Sequence, residues 1–306
     1  MTPKLQVIGG GKMGEALIAG LVAGGFAPEA ELRVVERLPG RAAELRERFP
    51  DLQVADEPAP AAGHVVAVKP GDVEAACRAV AGVRAGAAGG VGAGAAGGAG
   101  VEGAGAVEAG AAGGVGAGAP GAGGGSAPVL SIAAGVTIAQ LEAALAPGTP
   151  VVRAMPNTPA LVGAGAAAVA AGSSAGEREL AWAEAVLGAV GTVVRVPESL
   201  LDAVTGLSGS GPAYLFLVAE ALIEGGVLAG LPRPTAVALA TQTLLGSARL
   251  LAESDEGPEA LRAAVTSPGG TTAAGLRALE RGGVRSAFLD AVMDATERSR
   301  ELGRGS

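Results

Sequence analysis

Apolar positions in the first two thirds of the chain cluster into short β-branched runs separated by stretches of helical spacing. Residues 5–8 read as a strand, residues 12–21 as an amphipathic helix, residues 32–35 as a second strand and residues 41–49 as a second helix. A further strand over 64–68 ends in Lys69-Pro70, and a helix from about Asp72, a candidate N-cap, runs to about residue 83. Strand-helix alternation at this spacing predicts parallel βαβ units. The strand pattern resumes at 128–132, and stretches 151–159, 164–172 and 191–198 read as further strands around a helix carrying Trp182. After Pro197 the periodicity becomes helical and is broken by turn-rich strings at 208–212, 230–234 and 266–272, with almost no strand signal. The pattern predicts an α/β domain over residues 1–197 and an all-α domain over residues 198–306.

Composition changes this picture in one place. Residues 85–125 hold 19 glycines and only two charged residues, Glu102 and Glu108. Glycine at that density has much backbone entropy to lose and little side chain to bury, so the stretch reads as a disordered surface insertion within the first domain. Elsewhere the useful signal is scarcity. Only three lysines occur, Lys4, Lys12 and Lys69, with one His (His64), one Cys (Cys77), one Asn (Asn157), one Tyr (Tyr214) and one Trp. A single Cys excludes a disulfide scaffold, and one His with one Cys leaves too little for a structural zinc site, so no metal is expected. A net charge of −8 argues against a nucleic-acid partner. The first apolar run is too short for a signal-peptide core, and the uncharged stretch 109–130 is a poor spanning helix, so no membrane partner and a reducing cytoplasm are expected.

The chemistry begins at Gly9-x-Gly11-x-x-Gly14, directly after a predicted strand and opening a predicted helix. Gly9 permits the tight turn, Gly11 lets backbone approach a pyrophosphate, and Gly14 allows close helix packing; the helix N-terminus adds donors and a positive dipole. This is the signature of a Rossmann-type dinucleotide-binding domain. Glu36, at the end of the second strand, is placed to accept hydrogen bonds from an adenosine ribose, whereas Arg37 and Arg41 beside it could hold a 2′-phosphate. NAD and NADP both stay open on these residues. Lys69-Pro70 stands at the carboxyl end of a parallel strand, where open α/β sheets bind ligands. His64, at the opposite end of that strand, reads as a structural histidine, and Cys77 as a small core residue. In the second domain, residues 265–272 lead a Ser and a Pro-Gly-Gly turn into a helix near Thr271, a geometry that gathers free N–H groups for a carboxylate. Ser267, Thr271 and Thr272 add hydroxyls, and no side chain of the loop titrates near neutrality.

The strings IGGGKMGEALIAGL, VAVKP, SIAAGVT, RAMPNTP, LDAVTGLSGSGPAYLFLVAEALIEGGVLAGLPRPTA and VTSPGGTTAAGLRALERGGVRSAFLDAV together resemble the pyrroline-5-carboxylate reductase family. The resemblance covers nearly the whole chain outside about 84–127, where the insertion replaces a short connection. It implies a Rossmann-type domain followed by an all-α dimerisation domain, a homodimer that assembles further, and reduction of 1-pyrroline-5-carboxylate to proline. The cofactor it implies is NADPH, with NADH as the alternative. Cofactor contacts would come from Ile8, Gly9, Gly11, Lys12, Met13 and Gly14, from Glu36 and Arg37, from Ala67, Val68, Lys69 and Pro70, from Ile132, Ala133 and Ala134, and from Asn157. The substrate carboxylate would sit on Ser267, Gly269, Gly270 and Thr271, with Glu198 close by and Thr272 as the catalytic residue at the ring nitrogen. Asp56 stands near where the family tends to carry an Asn touching the cofactor.

The residues agree with that chemistry. Hydride transfer to a carbonyl needs a positioned acid, because an alkoxide develops in the transition state. A protonated cyclic imine already carries the positive charge that hydride neutralises, so hydroxyls and backbone amides suffice. A β-hydroxyacid dehydrogenase relies on a lysine in its helical half, and this chain has none after Lys69. A non-catalytic nucleotide-binding protein would have no need of the hydroxyls retained in 265–272.

Overall fold

The structure is a computed structural model that describes residues 2–88 and 126–304. Its first unit, up to Leu201, is built on a sheet in which β1 (Leu5–Ile8), β2 (Leu32–Val35), β3 (Gln53–Ala55), β4 (His64–Val66), β5 (Val129–Ser131), β6 (Val151–Met155), β7 (Gly165–Ala171) and β8 (Gly191–Arg195) lie in the order β3-β2-β1-β4-β5-β6-β7-β8. Helices α1 (Lys12–Ala23), α2 (Pro39–Arg48), α3 (Val73–Ala88), α4 (Ile138–Ala144) and α5 (Glu177–Gly188) intervene. Pairings from β3 through to β6 are all parallel. The order reverses direction at β1 and β4, which is the switch point where doubly wound sheets bind ligands.

Both faces of the central strands β1, β4, β5 and β6 are covered, which explains why they read as continuous apolar runs rather than alternating ones. Leu5 and Val7 pack with Leu17, Ile18 and Leu21 of α1, Leu45 of α2 and Trp182, Val186 and Leu187 of α5. Ile8, Val35, Val66, Val129 and Val151 pack on the other face with Val73, Cys77 and Val80 of α3 and Leu141 of α4. Within β1 the one polar residue, Gln6, is fully buried and its Nε2 lies 3.1 Å from His64 Nδ1, so His64 is a paired core residue as its position suggested. Trp182 is 3% exposed, and Gly63 is the residue that admits it, since a Cβ there would stand 2.6 Å from its Cζ2.

Local differences from the sequence reading have physical causes. The strand expected over 64–68 stops at Val66, because its neighbour β1 ends opposite it, Ile8 pairing with Val66, and turns away at Gly9. The second helix begins at Pro39, at the first-turn position where proline's missing N–H costs nothing. Strand β3 has no counterpart in the sequence reading; three residues without alternation carry too little signal. Strand β7, whose direction the sequence reading left open, runs antiparallel to β6, because residues 156–164 hold only a 3-10 turn, Thr158–Val162, and a parallel return needs a crossover of roughly a dozen residues. Of the insertion expected over 85–125, residues 85–88 close α3, where alanine propagates an existing helix; residues 89–125 lie outside the described residues.

The second unit, Asp202–Leu302, contains no strand among the described residues. It comprises most of the short helix α6 (Leu201–Val204), a π-helical turn at Thr205–Gly209, then α7 (Gly211–Leu228), α8 (Arg233–Glu253), α9 (Pro258–Ala264), α10 (Thr271–Arg281) and most of α11 (Val284–Arg304). The three breaks foreseen at the turn-rich strings separate the π turn from α7, α7 from α8, and α9 from α10. Tyr214 donates from its hydroxyl to the carbonyls of Gly206 (3.1 Å) and Ala291 (3.2 Å), and Ser299 donates to Asp202 (2.7 Å), which ties the start of the unit to α11. Apolar burial inside the unit is slight: Ala236 and Ala240 are its only buried hydrophobic residues among those described, whereas Leu215, Phe216, Leu217, Leu222 and Leu228 of α7 are all exposed.

Candidate functional site

The candidate site of the first unit is assembled from the carboxyl ends of neighbouring strands. Gly9 leaves β1 at φ 104°, a conformation L side chains rarely adopt, and a Cβ there would stand 2.7 Å from the Ala67 carbonyl oxygen. The turn after β1 therefore lies against the turn after β4, with Ala67 N–H donating to Ile8 O at 2.8 Å. At Gly14 a Cβ would meet Gly9 O at 2.1 Å, so α1 closes directly on the turn. Gly10 is equally enclosed: a Cβ would stand 2.5 Å from Leu45 Cδ1 and 3.2 Å from Glu36 Oε2.

Gly11 is different. Its backbone angles (φ −63°, ψ −176°) suit any residue, and a Cβ built on it meets nothing within 4 Å. Protein packing accounts for Gly9, Gly10 and Gly14 but leaves Gly11 with no internal reason to be glycine. It caps α1, whose first N–H groups lack intrahelical acceptors. An open space over backbone at a helix N-terminus fits a pyrophosphate. Lys12 and Lys69 are exposed at the two adjoining turns.

Around this turn the remaining expected cofactor residues occupy the same edge of the sheet. Met13 follows in α1; Val68 and Pro70 flank Lys69; Ile132, Ala133 and Ala134 follow β5; Asn157 follows β6. Two side chains have internal partners. Asn157 Oδ1 accepts from Ala166 N–H at 2.8 Å and braces the return to β7. Glu36 accepts from Gly10 N–H at 3.1 Å and from Leu38 N–H at 2.8 Å, so its carboxylate holds the turn itself. Arg41 donates to Gly10 O at 2.7 Å and pairs with Glu44 and Glu15, and Arg48 also pairs with Glu15. Arg37 is exposed and makes no ion pair among the described residues; Asp56 is likewise exposed, at the end of β3. The sequence reading missed Glu15, Leu45 and Arg48. An acid in the first turn of the helix opened by the glycine motif, where a negative ligand is expected, was the signal that could have exposed Glu15.

Burial would raise the Glu15 carboxyl, but hydrogen bonding and charge from Arg41 and Arg48 outweigh it and hold the group below its ordinary value. The Arg41 guanidinium is raised in turn, chiefly by Glu15 and then Glu44.

A separate candidate site, in the second unit, lies at residues 265–272. Gly270 N–H donates to Ser267 O at 3.0 Å, with Pro268 and Gly269 between them and Gly269 at φ 70°. That combination is a type II turn, which requires a residue tolerant of positive φ in third place. A Cβ on Gly270 would meet Ser267 Oγ at 2.4 Å, so the hydroxyl is tucked against the turn. Gly270 caps α10 without a side-chain bond, and its carbonyl accepts from Ala274 N–H at 3.2 Å. The N–H groups of Thr271, Thr272 and Ala273 are consequently left without helical acceptors at the positive end of the helix dipole, donors of the kind that suit an anion.

Glu198 is placed differently from the rest. Its Oε1 accepts from Arg153 Nη1 (2.8 Å) and from the backbone N–H of Ile138 (2.7 Å), fastening the first residue of α4 to β6. Among the described residues no group of three or more His, Cys, Asp or Glu could hold a metal ion.

Residues 198–302 match the family model described as pyrroline-5-carboxylate reductase dimerisation, and residues 4–88 match that of NADP oxidoreductase coenzyme F420-dependent. The chain is 43% identical over 318 residues to a pyrroline-5-carboxylate reductase of Mycobacterium tuberculosis, covering 98% of this chain and 96% of that protein. Among solved structures it is similar to a pyrroline-5-carboxylate reductase from Coxiella burnetii (TM-score 0.81, 31% identity, 99% of each chain). It is also similar to a Plasmodium falciparum pyrroline carboxylate reductase with NADP bound (TM-score 0.74, 25% identity, 98% and 97% of the chains).

Proposed function

The chain belongs to the pyrroline-5-carboxylate reductase family and reduces 1-pyrroline-5-carboxylate to proline with NAD(P)H, and we propose that the two sites described above, one in each unit, divide that work between them. The turn Gly9–Gly14, with Ile8, Lys12, Met13 and the loops at 67–70 and 132–134, receives the dinucleotide; the observation that carries this is the unfilled space over Gly11. When bound, NAD(P)H supplies the hydride that reaches the ring C=N carbon. Lys12 and Lys69 add positive charge toward the phosphates, Glu36 sets the turn that receives them, and Asn157 braces the β6 end of the same edge. Arg37, the exposed cation without an acid partner beside Glu36, contacts the 2′-phosphate, so NADPH is favoured over NADH.

On α10, the N–H groups of the first turn, with Ser267, Gly269, Gly270 and Thr271, hold the substrate carboxylate. Thr272 directs its hydroxyl at the ring nitrogen and keeps the C=N bond aligned for attack. The iminium loses its charge as the C–H bond forms, so the residues need supply no proton at carbon and no counter-charge. Glu198 contributes by fixing the loop that leads from residues 132–134 into α4. Replacing Thr272 by Ala should lower kcat/KM for pyrroline-5-carboxylate about tenfold, the worth of one oriented hydrogen bond. An unchanged kcat/KM in NADPH and NADH oxidation assays would show that Thr272 plays no part.

The second unit acts as a homodimer that assembles into larger homo-oligomers. The helical stretch Glu198–Leu228 is long and apolar enough by length and composition to cross a membrane, yet the exposed leucines and Phe216 of α7 sit in a region that matches a dimerisation model. A second copy is the cover that such a face fits. The compartment is the cytoplasm, in keeping with a lone cysteine kept as a thiol.

A further inference from the structure

We propose that Arg41 is a positioning residue for the phosphate-binding turn rather than a ligand of the 2′-phosphate, a reading that rests on the dinucleotide site assigned above. The Gly10 peptide groups are held from both sides: Glu36 accepts from its N–H at 3.1 Å and Arg41 Nε donates to its carbonyl at 2.7 Å. That carbonyl and the Gly11 N–H belong to one planar trans peptide, so they point in opposite directions. Fixing the carbonyl on Arg41 thereby fixes the direction of the Gly11 N–H, the backbone donor of the residue that caps α1. Leu45, from the same helix as Arg41, closes the remaining freedom by leaving no room for a side chain at residue 10.

Arg41 has a second task. Glu15 lies in the first turn of α1, where its charge favours the helix dipole but would repel a pyrophosphate. Arg41 and Arg48 both pair with it, and Glu44 balances the remaining charge, so two acids and two bases form a neutral group beside the turn. The guanidinium of Arg41 is thus engaged on all three nitrogens, by Gly10 O, Glu44 and Glu15. Three of its five N–H groups are taken, one on each nitrogen, and its charge is already paired with two carboxylates, so it offers a phosphate less than a free guanidinium would. Arg37 has no such engagement.

The test compares Arg41→Met, Arg41→Lys and Arg37→Met in the full-length chain by direct titration with NADPH and with NADH, alongside KM, kcat and thermal unfolding. Arg41→Met should weaken both nucleotides by the same factor, about tenfold, with the change in KM rather than kcat. Adding Glu15→Gln to Arg41→Met should recover about two- to threefold for both. Arg41→Lys keeps a cation near Glu15 but loses the bond geometry at Gly10, and should show a smaller, equal loss even if the Met variant folds poorly. Arg37→Met should weaken NADPH alone. Loss of NADPH with NADH unchanged in either Arg41 variant, or no loss of either nucleotide, overturns the proposal. Binding titrations also separate this from the proposed function: a wild-type chain that binds nucleotide without turning over pyrroline-5-carboxylate refutes the latter only.

Discussion

Replacing Gly11 by Ala should damage nucleotide binding while leaving the fold intact, and the structure sets both magnitudes. An added methyl meets no atom within 4 Å, and the backbone there (φ −63°, ψ −176°) is one alanine adopts freely. Two small terms then oppose each other. Restricting the unfolded chain favours Ala by about 0.4–1 kcal/mol, whereas Ala is a poorer N-cap than Gly by a similar amount. The net change should be within about 0.5 kcal/mol, or less than about 2 °C in the unfolding midpoint for a domain of this size. Binding should fare worse, because a methyl over the turn holds the pyrophosphate away from charged hydrogen bonds worth about 1.5–3 kcal/mol each, so Kd should rise at least about tenfold. Gly14→Ala is the contrast, since its Cβ would stand 2.1 Å from Gly9 O. It should cost about 1–3 kcal/mol or more and lower the midpoint by about 2–10 °C. Thermal unfolding without ligand and titration with NADPH read the two effects separately. A Gly11→Ala chain that binds NADPH normally, or that melts as early as Gly14→Ala, refutes the assignment of the open space to the cofactor.

Trp182→Ala should destabilise the first unit by about 3–5 kcal/mol in denaturant unfolding, since the ring is 3% exposed and fills the space over Gly63; a loss under 1 kcal/mol would mean the site collapses onto the cavity. Burial pushes the Cys77 thiol up to about 11 from its ordinary 9.0. The folded chain keeps the proton that the unfolded chain releases, so this stabilisation is complete below pH 9.0 and is lost as pH rises toward 11. Between pH 8 and 10.5 wild type should lose more stability than Cys77→Ala, and parallel curves would contradict the shift. Glu198→Gln strips the counter-charge from Arg153, whose side chain is only 9% exposed. It should cost about 1–3 kcal/mol of stability with KM for pyrroline-5-carboxylate little changed, and the reverse pattern would make Glu198 a substrate contact.

Sequence alone determined what depends on local regularity. The strand over residues 5–8, the glycine turn and its helix, the second strand at 32–35, the helix carrying Trp182 and the breaks in the helical half are each written in period, turn chemistry or capping within a few residues. The order of motifs was also enough to carry the family resemblance. Tertiary structure decided whatever depends on partners distant along the chain. It ended β4 where β1 turns away, and it reversed β7 because the preceding connection is too short for a crossover. It separated the four glycines of one turn, Gly10 among them, into three enclosed by Ala67, Leu45 and Gly9 and one, Gly11, with open space at its Cβ position. It likewise divided two arginines that sequence treated alike, engaging Arg41 with Glu15, Glu44 and Gly10 while leaving Arg37 exposed. Local propensity carries no term for a contact 26 residues away, such as Glu15 with Arg41, and it is those contacts that assign the roles.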